Sequence, residues 1–342
     1  MKKYVFVQIF SLIILGLFAQ GCGGGGSSPS QSPETTGSIT PQQIINGASS
    51  QGIDGIFVYV EQANKSPLSI AAGIQDRATQ QPADPESLFK IASISKMFIA
   101  VSAAKMAFQQ TIDLDDTLLF WLPEIGPRIQ NANSITIRLL LQHRSGVPDF
   151  DSQTGFSWQN SHSSIDDTLA FALDLDADFD PDWRYEYSNT NYILIAKILD
   201  KALGISHRTF IQDNILNPLE MFDTYSLYSE IDPTRLAKGY WDNQERSQQE
   251  YLIPGGSMIS TIKDTSIFLR ALNKGELLNS EEQVIYESVY FLGHAGWLPG
   301  YQSIARYHQE IDATVIQFVS RTGGNSEAVA GSTYEALIDS LR

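Results

Sequence analysis

One thiol serves the entire chain of 342 residues, that of Cys22, so no internal disulfide can form. Positive charge is also scarce. Against 39 aspartates and glutamates stand 23 lysines and arginines, a formal net charge of -16. That balance excludes a basic face for phosphate backbones, and nucleic acid is not an expected partner. An anionic membrane surface would repel such a body too, so membrane contact requires a dedicated anchor. The five histidines form no metal-ligand cluster, and no internal repeat is visible. What the chain does have is ordinary globular composition, 42% hydrophobic and 18% charged. That is ample for a sizeable core, in one large domain or two intertwined ones.

An anchor is written at the start. Lys2 and Lys3 precede an apolar run over residues 4–18, followed by Ala19, Gln20, Gly21 and Cys22. A positive first region, a short apolar segment and small residues before a cut site describe an export signal. As a spanning helix the run is short and carries Gln8 and Ser11. Cys22 stands where a bacterial lipoprotein is cleaved and lipidated, and the segment resembles a lipoprotein signal, with Ala19 and Gln20 as departures. The resemblance implies a signal peptide over residues 1–21. It also implies an exported protein, lipid-anchored through Cys22 to a bacterial membrane and facing the periplasm or the cell surface. Residues 22–40 are mostly Gly, Ser, Pro, Gln and Thr, a composition that makes a flexible tether and no core. The folded body is expected over residues 41–342.

Residues 55–60 and 68–73 are β-branched, aromatic or small around a turn and read as a hairpin, and 301–307 with 313–319 read as two more antiparallel strands. Between these ends, apolar residues recur at three-to-four spacing over 93–109, 136–143, 165–175, 191–203 and 264–272. A final helix is expected over 326–341. The pattern predicts an α+β fold, an α/β sandwich. One antiparallel sheet is built from the N- and C-terminal strands and flanked by helices, with a mainly helical lobe inserted at about 110–250. The cleft between the two is the expected place for a site.

Ser-x-x-Lys is the first pattern with chemistry in it. On a helix, residues three apart share a face, so the amine can reach the hydroxyl. At the first turn the serine also meets unpaired backbone N–H groups and the positive end of the macrodipole. A desolvated lysine of lowered pKa can then take the serine proton. The pattern occurs four times, at Ser87/Lys90, Ser93/Lys96, Ser102/Lys105 and Ser260/Lys263, and at most one serine can be the nucleophile. Ser93 stands out because residues 89–98 place the pair among apolar side chains, whereas Ser102 and Lys105 fall deeper in the same predicted helix. Downstream, Tyr187-Ser188-Asn189 opens another apolar helix. A phenol can pass a proton, and an amide offers both a donor and an acceptor. Alone, Tyr187 reads as a core tyrosine and Asn189 as a helix cap. A third element, His294-Ala295-Gly296, can form a strand edge on which substrate pairs, with glycine permitting close approach. Arg321-Thr322-Gly323 competes for this role, but Gly323-Gly324-Asn325 reads as the turn ending the last strand.

Together the three elements, in this order, resemble the serine β-lactamase and D-alanyl-D-alanine carboxypeptidase superfamily, in particular its class C-like branch with esterases. The likeness extends over nearly all of residues 45–342 and includes His143-Arg144-Ser145-Gly146. It implies a β-lactamase/transpeptidase-like fold in which Ser93 attacks a carbonyl carbon and becomes acylated. Lys96 and Tyr187 would share the acid and base work, and Asn189 would orient the acyl side of the substrate. His294 would keep the Tyr187 proton poised, and the Ser93 and Trp297 N–H groups would form an oxyanion hole. His143 would be structural. No metal or organic cofactor is required, and the substrate is a small molecule or peptide: a cell-wall peptide, an ester or a β-lactam.

Many peptidase members carry Thr or Ser where this chain has Ala295, and that hydroxyl helps to hold a substrate carboxylate. Its loss weakens such a contact by roughly 1.5–3 kcal/mol and turns the expectation from a strict carboxypeptidase towards an esterase or amidase. Arg306 and Arg321 are the candidates to compensate. The stretch between Ser257 and His294 is also short for the family. The expectation is a D-alanyl-peptidase-like hydrolase, with a carboxylesterase or weak β-lactamase as the alternative. A non-catalytic penicillin- or muropeptide-binding sensor is the rival of another class, against which the intact Ser93, Lys96, Tyr187 and Asn189 count.

Overall fold

Thr40 and Pro41 start the first helix, α1 (Pro41–Ser50), where the threonine side chain and Gln43 cap each other reciprocally. The structure, a computed structural model, describes residues 39–160 and 164–342. The segment expected to be an export signal, Cys22 and the expected tether as far as residue 38 lie outside the described residues.

Strands β1 (Gly55–Gln62) and β2 (Leu68–Asp76) form the expected hairpin, each a little longer than the pattern indicates. Short strands β3 (Gln81–Pro82) and β4 (Phe89–Lys90) lead into a tight turn at Ala92–Ile94 and helix α2 (Ser95–Phe108). A mainly helical segment follows, with α3 (Leu118–Trp121), α4 (Ile137–Leu141), α5 (Ile165–Leu169), α6 (Asn189–Leu203) and α7 (His207–Ile211). Then come β5 (Tyr240–Trp241), β6 (Gln244–Glu245) and β7 (Ile259–Ser260). Helices α8 (Ile262–Lys274) and α9 (Ser280–Val289) return the chain to the sheet, which it rejoins with β8 (His294–Leu298), β9 (Tyr301–His308) and β10 (Ala313–Val319). Strand β11 (Arg321–Thr322) and helix α10 (Ser326–Leu341) complete the described chain.

The main sheet runs β3-β2-β1-β10-β9-β8, antiparallel throughout. It joins the two ends of the chain, as the sequence predicts, and its class is α+β. Alternation along β1 divides its side chains between two cores. Ile56, Val58 and Val60 pack with Ile45 of α1 and with Tyr334 and Leu337 of α10. Phe57 and Tyr59 face the larger core, which contains α2, α6 and α8. Because that core surrounds α2, nearly every side chain of the helix is buried. Strand β8 ends the sheet order, and this edge lies against the turn that carries Ser93.

Helices α1, α3, α7 and α9 escape the sequence pattern. Helix α9 is opened by Asn279, whose side chain caps Glu281 and Glu282 while Glu282 reaches back to it. The apolar pattern over 93–109 also includes a turn that is not yet α-helix, so regular helix begins two residues after Ser93.

Candidate active site

Ser93 is held by the chain on both sides of it. Phe89 and Lys90 pair with Ser260 and Ile259, and the Ile91 N–H donates to the Met258 carbonyl at 3.0 Å. The backbone then turns sharply at Ala92, whose φ of 52° lies in the left-handed region. Holding a non-glycine residue there costs about 1–3 kcal/mol. Ser95 fixes the turn: its hydroxyl donates to Ala92 O at 2.6 Å and accepts from Met258 N–H at 3.2 Å. The result is selective exposure. From Ser87 to Ala104, Ser93 alone is not fully buried.

Lys96 sits one helical turn on and is completely buried. Its Nζ lies 3.1 Å from Ser93 Oγ, 2.8 Å from Asn189 Oδ1 and 3.0 Å from the Gly255 carbonyl. Glycine is needed at 255, since an added Cβ would stand 2.9 Å from both Lys96 Cγ and Tyr192 Cβ. Burial drives the Lys96 pKa down from 10.5 to about 7, against the pull of Asp149 and Asp151. Three donors of an ammonium would match three acceptors. A neutral amine has two N–H groups and one lone pair. The amide oxygen and the carbonyl can only accept, so the lone pair is left pointing at the serine hydroxyl.

Tyr187 completes the chain, its hydroxyl donating to Ser93 Oγ at 2.9 Å. Burial raises its pKa strongly, so the phenol is protonated at neutral pH. The ring stacks on His143, with centroids 4.4 Å apart. His143 is fixed in turn by the Ser188 N–H, which donates to Nδ1 at 3.2 Å, and burial holds it neutral, well below its usual pKa. His143 is therefore a flat support behind the phenol.

Asn189 differs from expectation in what it touches. Its Oδ1 accepts from Lys96, and its Nδ2 donates to Asp149 at 3.1 Å and Asp151 at 3.4 Å. The amide donors assigned to substrate are thus engaged inside the protein. Neither aspartate was singled out by sequence, because two loop acids about 40 residues before Asn189 give no periodic signal. His294 also stands apart from its assigned contact. Its Nδ1 meets the Ala295 carbonyl, its ring stacks on Tyr290 at 5.7 Å, and its centroid is 6.3 Å from that of Tyr187. Burial, followed by the charge of Lys96, pushes its pKa down to about 4.

Gly296 lets β8 reach the turn that carries Ser93. A Cβ there would lie 2.5 Å from the Ile91 carbonyl oxygen and 2.8 Å from Ala92 Cβ. Trp297, next along the strand, donates through Nε1 to Glu327 at 3.1 Å and lies edge-on to Trp158 and Trp241. These partly exposed rings form an aromatic wall beyond Ala295. Arg321 cannot serve the site, as it bonds the Gly52 carbonyl and pairs with Asp54. Arg306 is exposed and forms no ion pair among the described residues. It lies diagonal to Ala295, on the same face of the sheet, since Ala295 pairs with Ile304.

The fold and this serine-centred arrangement define a serine hydrolase of α+β architecture. The chain belongs to the Beta-lactamase family, whose family model matches residues 41–289. The match stops short of β8, so residues 294–297 lie beyond it. The chain is 30% identical to Penicillin-binding protein 4* of Bacillus subtilis (strain 168) over 174 residues, which are 49% of this chain and 38% of that relative. It thus spans little more than a third of that curated relative's length. Among solved structures it is similar to the D-amino acid amidase from Ochrobactrum anthropi SV3, at a TM-score of 0.78 and 24% identity over 88% of this chain and 97% of that one. It is also similar to EstCE1, a hydrolase with promiscuous acyltransferase activity, at a TM-score of 0.70 and 18% identity over 88% and 98%.

Proposed function

We propose that the protein cleaves amides by acyl transfer through Ser93, as a D-alanyl-peptidase-like enzyme acting on cell-wall peptides. The observation that carries the reading is the hydrogen-bond inventory of Lys96, in which Ser93 is the one partner able to give a proton. In acylation, Ser93 Oγ bonds to the carbonyl carbon as its proton passes to Lys96. The C–N bond then breaks, and the leaving nitrogen takes a proton delivered through Tyr187, which Lys96 replaces. Water repeats the sequence on the acyl-enzyme and frees the serine. Backbone N–H groups of Ser93 and Trp297 receive the developing oxyanion, each such donor contributing about 3–4 kcal/mol. Arg306, exposed beside Ala295, supports recognition of a substrate carboxylate where the strand itself has no hydroxyl.

A second reading has its own observation. Ala295 and the aromatic wall of Trp158, Trp241 and Trp297 favour a neutral, apolar leaving side, as in an esterase or an amidase of amino acid amides. The D-amino acid amidase is an amidase by name, and EstCE1 is a hydrolase with promiscuous acyltransferase activity, which supports this branch. Turnover of a D-Ala-D-Ala peptide, a D-amino acid amide and a p-nitrophenyl ester, with labelling by a fluorescent penicillin, separates the readings. Peptide cleavage and a penicillin adduct, both absent in Ser93→Ala, support the peptidase. Amide or ester turnover alone supports the second reading. No turnover and no adduct leaves a binding module. We further propose attachment through Cys22, tested by incorporation of radiolabelled fatty acid that Cys22→Ala abolishes.

A further inference from the structure

Asn189 shows Lys96 its oxygen and not its amine, yet an amide can turn over with little change of shape. Something must choose. On the side away from Lys96, Nδ2 lies 3.1 Å from Asp149 Oδ2 and 3.4 Å from Asp151 Oδ2. Carboxylates accept and an amide oxygen cannot donate, so this pair admits only one orientation of Asn189. Asp151 is partly exposed on the short turn Phe150–Ser152, and Asp149 precedes it. We propose that Asp149 and Asp151 are positioning residues, which clamp the Asn189 amide so that its oxygen aims the Lys96 amine at Ser93 and which set the charge opposite that amine. The inference rests on the acyl-enzyme reading given above.

The charge follows from the surroundings. Lys96 is faced by Ser93 on its own turn, by Asn189 and Tyr192 of α6, and by Tyr187 ahead of it. The Gly255 carbonyl, the two aspartates, and the neutral rings of His143 and His294 complete the set. Burial, followed by the neighbouring Asp151, raises Asp149 to about 7, and burial raises Asp151 as well, so the pair carries a proton in acid. Both aspartates hold the lysine pKa up against burial. Removing one negative charge lets the neutral amine persist to lower pH.

Two substitutions at Asp149 separate aim from charge, with p-nitrophenyl acetate as a neutral probe. Asp149→Asn keeps an acceptor but removes the charge. The acid limb of kcat/KM is expected to move lower, by up to about one pH unit because the pair already shares a proton in acid, with the plateau within about fivefold of wild type. Asp149→Leu removes the acceptor, and kcat is expected to fall about 10–100-fold with KM within about twofold. Asp151→Asn, at the more exposed acid, carries the same limb shift if a variant at 149 does not fold, as judged by thermal unfolding. Asp151→Glu should restore the wild-type limb. An unshifted limb and unchanged kcat in folded variants would overturn the inference. So would a loss confined to KM, which would make the pair a substrate contact. Labelling of wild-type Ser93 is read first. Its absence overturns the acyl-enzyme reading itself, whereas labelled wild type with unmoved variants overturns this inference alone.

Discussion

Ser87/Lys90 and Ser93/Lys96 are the same pattern six residues apart, and burial lowers both lysines from 10.5 to about 7. Their surroundings differ. Ser87 and Lys90 lie on extended chain, where residues three apart point to opposite faces and stand roughly 10 Å apart. Ser87 accordingly donates to Gln75 Oε1 at 2.6 Å. The Lys90 amine donates to the Gln249 carbonyl and sits 4.9–5.5 Å from the ring centres of Tyr228, Tyr251 and Tyr301. Ser93 and Lys96 span the turn into a helix, so their side chains converge. A depressed lysine pKa is therefore not the mark of the site. The mark is a lysine whose remaining partners cannot donate, next to a hydroxyl that solvent can reach.

Lys96→Ala should lower kcat/KM about 10³-fold or more on any substrate, as expected for removal of the group that takes the nucleophile's proton. Steady-state kinetics would check this, and retention of more than a tenth of the activity would contradict it. Gly296→Ala should come next, since its Cβ meets the Ile91 carbonyl. A loss of about tenfold in kcat/KM with about 1–3 kcal/mol of stability is expected, read by kinetics and denaturant unfolding.

Lys90→Met should change activity by only a few-fold and should change how stability depends on pH. Folded Lys90 gives up its proton near pH 7, while the unfolded chain keeps it to 10.5. Between those values the unfolded state binds the extra proton, so this residue makes stability rise with pH, and its full penalty applies below 7. The variant lacks that contribution. Its unfolding free energy relative to wild type should be higher at pH 6 than at pH 10, a swing of about 2–4 kcal/mol. A pH-independent difference would mean that Lys90 is not buried as a neutral amine. Ser87→Ala is the smallest case. It should cost about 1 kcal/mol in unfolding free energy and leave kcat/KM unchanged, because Gln75 Oε1 keeps the Asp84 N–H.

The sequence shows what periodicity can show. The hairpin, the closing strands and helix α2 follow from alternation and three-to-four spacing, and Ser93 with Lys96 follows from apolar flanks. Tyr187 is legible only through its place ahead of an apolar helix. Asp149 and Asp151 are not legible, because their meaning lies in contact with Asn189 across about 40 residues of irregular chain. The same limit hides the inward turn of Asn189, since an asparagine's partners are set by tertiary packing and not by its neighbours. Helix α9 was missed although Asn279 and Glu282 spell a capping box, because its apolar positions are few. The burial of Lys90 is a further omission, as a strand of two residues is too short to show which face it hides.

The most direct test of the account is intact-mass and peptide-mapped labelling with a fluorophosphonate, its rate followed from pH 5 to pH 9. A single adduct on the peptide holding Ser93, absent in Ser93→Ala, with a rate that rises with pH through a midpoint near 7, is the result expected of a neutral Lys96. An adduct on another serine, or a Ser93 rate indifferent to pH across that range, would contradict it.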